Sequence, residues 1–188
     1  MKLILASASP RRAELLKSLG LQFNVLPSGV AERDEHPASF HDLAIHNAQA
    51  KAGDVAARHP EAMVLGADTI VVLGSEVFGK PRDLDDARRM LRRLSGQSHL
   101  VITGVCLIHR AANRERSFAV ETRVRFRLLG DADIEQYLDA VDVLDKAGAY
   151  AIQEGPPIVA GVEGSYSNVI GLPLERVAAE LREFGIRA

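Results

Sequence analysis

The residues that could do chemistry in this chain are mostly charges in places where charges are costly. Asp68 interrupts Val64-Leu65-Gly66-Ala67-Asp68-Thr69-Ile70-Val71-Val72, a run apolar enough to be a strand buried on both faces. A carboxylate there costs several kcal/mol unless it meets a cation, a metal or several donors. It is therefore a general base or metal ligand, or else a structural ion pair. If the charge is there for chemistry, its removal should leave the fold as stable or more so. Lys51 raises the same question. Plotted at 100° per residue, it falls within the stripe of Phe40, Leu43, Ala44, Ala48 and Val55, so it must snorkel outward or meet a negative partner.

Ser7-Ala8-Ser9-Pro10-Arg11-Arg12 has the composition of an anion site. A strand ends, a polar turn follows, and a helix begins with its free N–H groups facing the turn. Two arginines in the first helical turn oppose the helix dipole, where stability alone would favour Asp or Glu. With two hydroxyls they suit a polyanion such as a phosphate chain. There is no Gly-x-x-x-x-Gly-Lys-Ser/Thr loop and no Gly-x-Gly-x-x-Gly, so this is neither a P-loop nor a dinucleotide fingerprint. Lys80, held between Gly79 and Pro81, can aim at a phosphate or lie on the surface. Glu32 is a loop acid that shares its segment with Asp34 and Glu35. Asp145-Lys146-Ala147-Gly148-Ala149-Tyr150-Ala151-Ile152-Gln153 and Gly164-Ser165-Tyr166-Ser167-Asn168 combine small residues with polar groups that could read a base edge.

Other clusters point away from chemistry. Arg88, Arg89, Arg92 and Arg93 flank an apolar stripe and read as a solvated face. His41 and His46 are five apart, not the spacing of a helical zinc pair. Cys106 lies in Val105-Cys106-Leu107-Ile108 and reads as a buried structural thiol. As the one cysteine, it excludes an internal disulfide.

The elements that must position these residues follow from caps and periodicity. Leu3 to Ala6 is a short strand. Ser9 and Pro10 open a helix through Leu19, and Gln22 to Leu26 is a second strand. Residues 27–38 form a loop that includes Pro27, Gly29 and Pro37. A helix runs from Phe40 to Arg58 with Ser39 as cap, and Met63 to Leu73 is the clearest strand. Gly74-Ser75 turns it into Glu76–Phe78. Asp83 caps a helix carrying Leu84, Ala87, Met90, Leu91 and Leu94. Two long strands, His99–His109 and Glu115–Phe126, meet near Ala112-Asn113. A short helix follows over Asp131–Leu138, then loops around short strands over 145–173. A last helix from Leu174 carries Val177, Ala178, Leu181 and Phe184. This order argues for a mixed sheet covered by helices.

With 188 residues, 47% of them apolar and 26% charged, the chain has material for a full core. A net charge of −2 excludes a global basic field, which disfavours a nucleic-acid partner and a membrane surface. The apolar patch at the N-terminus is too short for a signal peptide, and no run would span a bilayer, so the expected location is the cytoplasm.

Five segments, taken in order, resemble the Maf family: Ser7-x-Ser9-Pro10-Arg11-Arg12-x-Glu14-Leu15-Leu16, Gly66-Ala67-Asp68-Thr69-Ile70-Val71, Gly79-Lys80-Pro81, Asp145-Lys146-Ala147-Gly148-Ala149-Tyr150 and Gly171-Leu172-Pro173-Leu174. The resemblance runs from residue 3 to about 181. It implies a single Maf-like α/β domain over residues 1–188, inosine triphosphatase-like, with an elongated mixed sheet flanked by helices and a cleft between two lobes. It also implies a nucleoside triphosphate pyrophosphatase that releases the monophosphate and pyrophosphate with a divalent metal, Mg²⁺ or Mn²⁺. Asp68 would be the base. Ser7, Arg12, Glu32, Lys51 and Lys80 would form the triphosphate and metal shell, with Glu32 and Asp68 as the metal ligands. Arg11, Thr69 and Gln153 would choose the base, and these three residue types resemble the dTTP/UTP branch. Acting on modified nucleotides, as the sister branch does, or regulating septum formation as a nucleotide binder are the rival implications. A homodimer is compatible with all of this.

Overall fold

The computed structural model describes residues 1–33 and 39–187. Pro37 and the loop acids Asp34 and Glu35 lie outside them. Along the chain come β1 (Leu3–Leu5), α1 (Pro10–Ser18), β2 (Asn24–Val25), α2 (Phe40–Arg58), β3 (Met63–Leu73), β4 (Glu76–Phe78), α3 (Leu84–Leu94), β5 (Ser98–His109), β6 (Arg114–Phe126) and α4 (Asp131–Ala140). A single 3₁₀ turn (Ala147–Ala149), β7 (Val159–Glu163), α5 (Tyr166–Ile170) and α6 (Leu174–Glu183) complete it. The strands form one mixed seven-stranded sheet in the order β2-β1-β3-β5-β6-β7, with β4 paired to β3. β1 runs parallel to β2 and β3, while β3–β4 and β6–β7 are antiparallel. The expected α/β class with a mixed sheet is therefore observed.

The caps act as the sequence requires. The hydroxyls of Ser9 and Ser39 accept from the backbone N–H of Arg12 and Asp42, and the Asp83 carboxylate accepts from Asp86 N–H. Two expectations are revised. The second strand is only Asn24–Val25, and the Gly- and Ser-rich stretch after Glu163 contains the short helix α5.

The chain divides into two compact units. The first comprises residues 1–69, 103–120 and 171–188, and the second residues 70–102 and 121–170. In the first, the sheet is buried on both faces, and alternation sorts its residues. Leu3, Leu5, Leu65, Ala67, Val105 and Leu107 pack with Leu16 of α1 and with Val177 and Leu181 of α6. Ile4, Ala6, Val64 and Cys106 pack with Ala48, Ala52 and Val55 of α2. On that α2 side the sheet presents Gly66 and Gly104. A methyl group on Gly66 would overlap the Ala48 carbonyl and the Ala52 nitrogen, and one on Gly104 would overlap the Ala44 carbonyl. Small residues on both surfaces thus let the α2 backbone lie directly on β3 and β5. Asp68 shares the parity of Val64 and Gly66, so it faces α2, while Thr69 faces α1.

The second unit packs Val71, Phe78, Leu91, Val101, Val124, Phe126, Tyr137 and Tyr150 around a separate core. Leu84, read as part of the apolar stripe of α3, is instead 47% exposed. Arg88 is more than a solvated charge. Its guanidinium meets both carboxylate oxygens of Glu135 at 2.5 and 2.9 Å and joins α3 to α4. Arg92 and Arg93 pair with Asp131 and Glu76, and Arg89 with Asp86.

Candidate active site

Close contact between α2 and β3 brings three ionised groups together in the first unit. Lys51 Nζ lies 2.7 Å from Asp68 Oδ1 and 2.6 Å from Glu32 Oε1, and also donates to the Ala67 carbonyl at 3.4 Å. Lys51 and Asp68 are buried at 9% and 4% exposure, while the Glu32 side chain is 42% exposed. Lys51 has therefore met a negative partner and does not snorkel outward. The second oxygen of Asp68 accepts from Asn47 Nδ2 at 3.0 Å. Burial pushes the Asp68 carboxyl up, but the Lys51 ammonium, the nearby Arg12 guanidinium and the Asn47 hydrogen bond outweigh it and hold the acid below its usual range.

Asp68 is therefore paired as the structural reading of this residue requires. Breaking such a pair costs stability, so removal of Asp68 should weaken the fold and not leave it as stable or better. Replacing Asp68 by Asn would turn an NH₂ group toward either the Lys51 ammonium or the Asn47 amide, both donors.

On the opposite face of β3, Arg12 is buried rather than spread into solvent. Its Nε donates to the Gly171 carbonyl at 2.9 Å, NH1 to Ser7 Oγ at 3.3 Å and NH2 to Thr69 Oγ1 at 3.0 Å. Thr69 Oγ1 in turn pairs with Thr103 Oγ1 at 3.0 Å, across β3 and β5. Ser7 Oγ also accepts from Ser9 N–H at 3.2 Å. Burial pulls the Arg12 guanidinium down from its ordinary value, against the charges of Asp68 and Glu32. A guanidinium remains charged through any such shift. Arg12 is thus a fixed cation at the mouth of α1, aimed by a carbonyl and two hydroxyls. Arg11, its neighbour, is partly exposed.

Ser7, Arg12 and Thr69 therefore form one bonded set, and Glu32, Lys51 and Asp68 another. Lys80 and Gln153 belong to the second unit. Lys80 is exposed just beyond β4, in a loop whose Gly79 carbonyl accepts from Gly148 N–H at 3.0 Å. Gln153 is exposed and donates to Glu154 Oε1 at 3.1 Å. Glu154 lies 3.5 Å from the buried Lys146, which also bonds Asp145 and the Asp142 carbonyl. Sequence reasoning missed three groups: Asn47, Thr103 and the Gly171 carbonyl. Asn47 left a signal, since it lies one helical turn before Lys51 on the inward face of α2.

Among the described residues no group of three or more His, Cys, Asp or Glu converges as a metal cluster. The protein donors at hand are the two carboxylates that share the Lys51 ammonium. That cation already occupies the place between them that a metal would compete for. Two hard carboxylates fit Mg²⁺ or Mn²⁺, which take one or two from the protein and complete their shell with phosphate oxygens and water. Cys106 is fully buried, and burial pushes its thiol up to about 12, as a structural thiol requires. No helix among the described residues is long and apolar enough to cross a membrane.

The pattern of the family described as Maf-like protein matches residues 2–184. The chain is 49% identical to the dTTP/UTP pyrophosphatase of Myxococcus xanthus (strain DK1622), over 98% of this chain and 93% of that protein. It is 51% identical to the dTTP/UTP pyrophosphatase of Anaeromyxobacter dehalogenans (strain 2CP-C), over 98% and 94%. Among solved structures, the nucleoside-triphosphatase / dITP/XTP pyrophosphatase from Mycobacterium abscessus aligns over 98% of this chain and 96% of that one, at 16% identity and a TM-score of 0.44.

Proposed function

The chain belongs to the Maf family, and on that premise we propose that it is a nucleoside triphosphate pyrophosphatase that converts dTTP and UTP to the monophosphate and pyrophosphate in the cytoplasm. The observation that carries this reading is the buried Asp68, kept ionised by Lys51 and Asn47 beside a second carboxylate, Glu32. An ionised carboxylate in a dry site can orient a water and take its proton as the water attacks the α-phosphorus.

Arg12, held rigid by Gly171, Ser7 and Thr69, meets phosphoryl oxygens without losing side-chain entropy on binding. Ser7 and the free N–H groups at the start of α1 add neutral donors there. Lys51 holds Glu32 and Asp68 at a spacing set by one ammonium. Lys80 supplies an exposed charge for the departing pyrophosphate. Glu32 and Asp68 would hold Mg²⁺ or Mn²⁺ arriving with the nucleotide, and the ion would neutralise phosphate charge and lower the pKa of bound water. Arg11 and Gln153, with Thr69, are the positions assigned to base choice.

The test is product identity. With UTP or dTTP and Mg²⁺, the products should be the monophosphate and pyrophosphate, and EDTA should abolish turnover. Release of orthophosphate and a diphosphate would overturn attack at the α-phosphorus.

A further inference from the structure

Asn47 is buried at 3% exposure in the middle of α2, and every hydrogen of its amide is used. Its Oδ1 accepts from the Arg33 backbone N–H at 2.9 Å, and its Nδ2 donates to the Arg33 carbonyl at 3.0 Å and to Asp68 Oδ2 at 3.0 Å. The first two bonds pair the side-chain amide with a main-chain residue in the manner of a neighbouring strand. The orientation is forced: a flipped amide would set an oxygen against both the Arg33 carbonyl and the Asp68 carboxylate.

Asn47 and Lys51 therefore act in parallel, one turn apart on the same face of α2. Lys51 takes Oδ1 of Asp68 and the side chain of Glu32. Asn47 takes Oδ2 of Asp68 and the backbone of the next residue, Arg33. Residues 30–33 lie in no helix or strand, so the Glu32 backbone has no sheet or helix ladder to hold it. The Arg33 clamp supplies that anchorage. Leaving Asp68 Oδ2 without its donor would let the carboxylate rotate about its last bond and spoil the direction of Oδ1.

We propose that Asn47 is a positioning residue for the reaction, which docks the Glu32 loop onto α2 and fixes the rotation of the Asp68 carboxylate. The inference rests on the functional reading above, in which Glu32 and Asp68 face the nucleotide. A residue that merely fills space would be replaceable by any group of like size. A positioning residue needs both its acceptor and its donors. Asn47→Asp keeps the size and the acceptor for Arg33 N–H but removes both donors, whereas Asn47→Ala removes everything.

The experiment measures kcat and KM for UTP, and amide hydrogen exchange at Arg33, in the wild type and both variants. Asn47→Ala should lose roughly 10–100-fold in kcat with little change in KM, and its Arg33 amide should exchange faster. Asn47→Asp should lose kcat to a similar degree while keeping most of the Arg33 protection. Wild-type kcat in either folded variant, or a loss confined to KM, would overturn the proposal. Should Asn47→Ala fail to fold, the isosteric Asn47→Asp carries the same test alone. If the wild type hydrolyses neither UTP nor dTTP, the functional reading falls. The exchange measurement then decides the loop clamp by itself, with unchanged exchange in Asn47→Ala contradicting it.

Discussion

Both units bury charged groups, but they partner them differently. In the first, buried charge is concentrated and mutually satisfied: Asp68, Lys51 and Arg12 are nearly inaccessible, and each is held by two or more partners. In the second, the buried charges Asp86 and Lys146 are not paired with each other but with more exposed residues. Asp86 meets Arg82 and Arg89, Lys146 meets Asp145 and Glu154, and the polar pair inside the core is neutral. His99 Nε2 lies 2.8 Å from the Tyr150 hydroxyl, with both rings edge-on to Phe126, and His99 Nδ1 has no hydrogen-bond partner among the described residues. The second unit's candidates for chemistry, Lys80 and Gln153, are exposed. The second unit's aromatic core around His99 and Tyr150 holds no ionised carboxylate, and its buried Asp86 lies outside that core, paired with the exposed Arg82 and Arg89. The first unit instead joins two buried opposite charges, Lys51 and Asp68, to each other, with a third buried charge, Arg12, close enough to act on Asp68.

The largest effect should come from Asp68→Asn. Loss of the base should lower kcat by about 10²–10⁴-fold. Breaking a buried pair should also cost on the order of 3 kcal/mol, a fall of roughly 5–10 °C in Tm. Calorimetry and steady-state kinetics well below the variant's Tm read the two separately. Near-normal turnover with a lowered Tm would leave Asp68 purely structural and dissolve the contrast between the units.

Lysines in the two units should separate next. Lys51→Ala leaves two carboxylates facing each other and should lower both Tm and turnover, the latter by on the order of 10²-fold. Lys80→Ala, at an exposed position, should leave Tm unchanged and lower turnover by roughly 10–100-fold through phosphate charge alone. Equal Tm losses for the two would contradict the comparison. At the base-choosing positions, Gln153→Ala should reorder UTP, dTTP and other nucleotides by about tenfold. Thr69→Val should reorder the nucleotides too and, because the Thr69 hydroxyl supports Arg12, also depress them all.

Much of this organisation was legible in the chain. The bounds of α2 and β3 follow from the Ser39 cap and the unbroken apolar run, and those two elements carry Lys51 and Asp68. Each of these residues stood out as a charge on a face that had to be buried. The partners were another matter. Asn47 acts through the backbone of Arg33, and no residue pattern reports a backbone contact 14 positions away. Arg12 was legible as an anion-binding cation, but not its acceptor, the Gly171 carbonyl, which is 159 residues distant. The clamp of Arg88 by Glu135 was hidden in the same way, and α5 is too short to show a helical period.

An effect on stability alone, without one on turnover at neutral pH, concerns the second unit. Burial lowers the His99 pKa from 6.5 to about 4, so the unfolded chain takes up this proton first as pH falls. The stability this neutral residue contributes is intact above about pH 6.5 and is lost progressively down to about pH 4, by up to about 3 kcal/mol. Unfolding curves of the wild type and His99→Gln should differ in slope within that window and run parallel above it. Parallel curves throughout would mean that His99 is not held neutral in the core.

The central claim, attack of water on the α-phosphorus at the Asp68 site, is tested most directly by hydrolysing UTP in ¹⁸O-labelled water and weighing the products. The account predicts one labelled oxygen in the uridine monophosphate and none in the pyrophosphate. Label in pyrophosphate or orthophosphate, with unlabelled nucleotide, would contradict it.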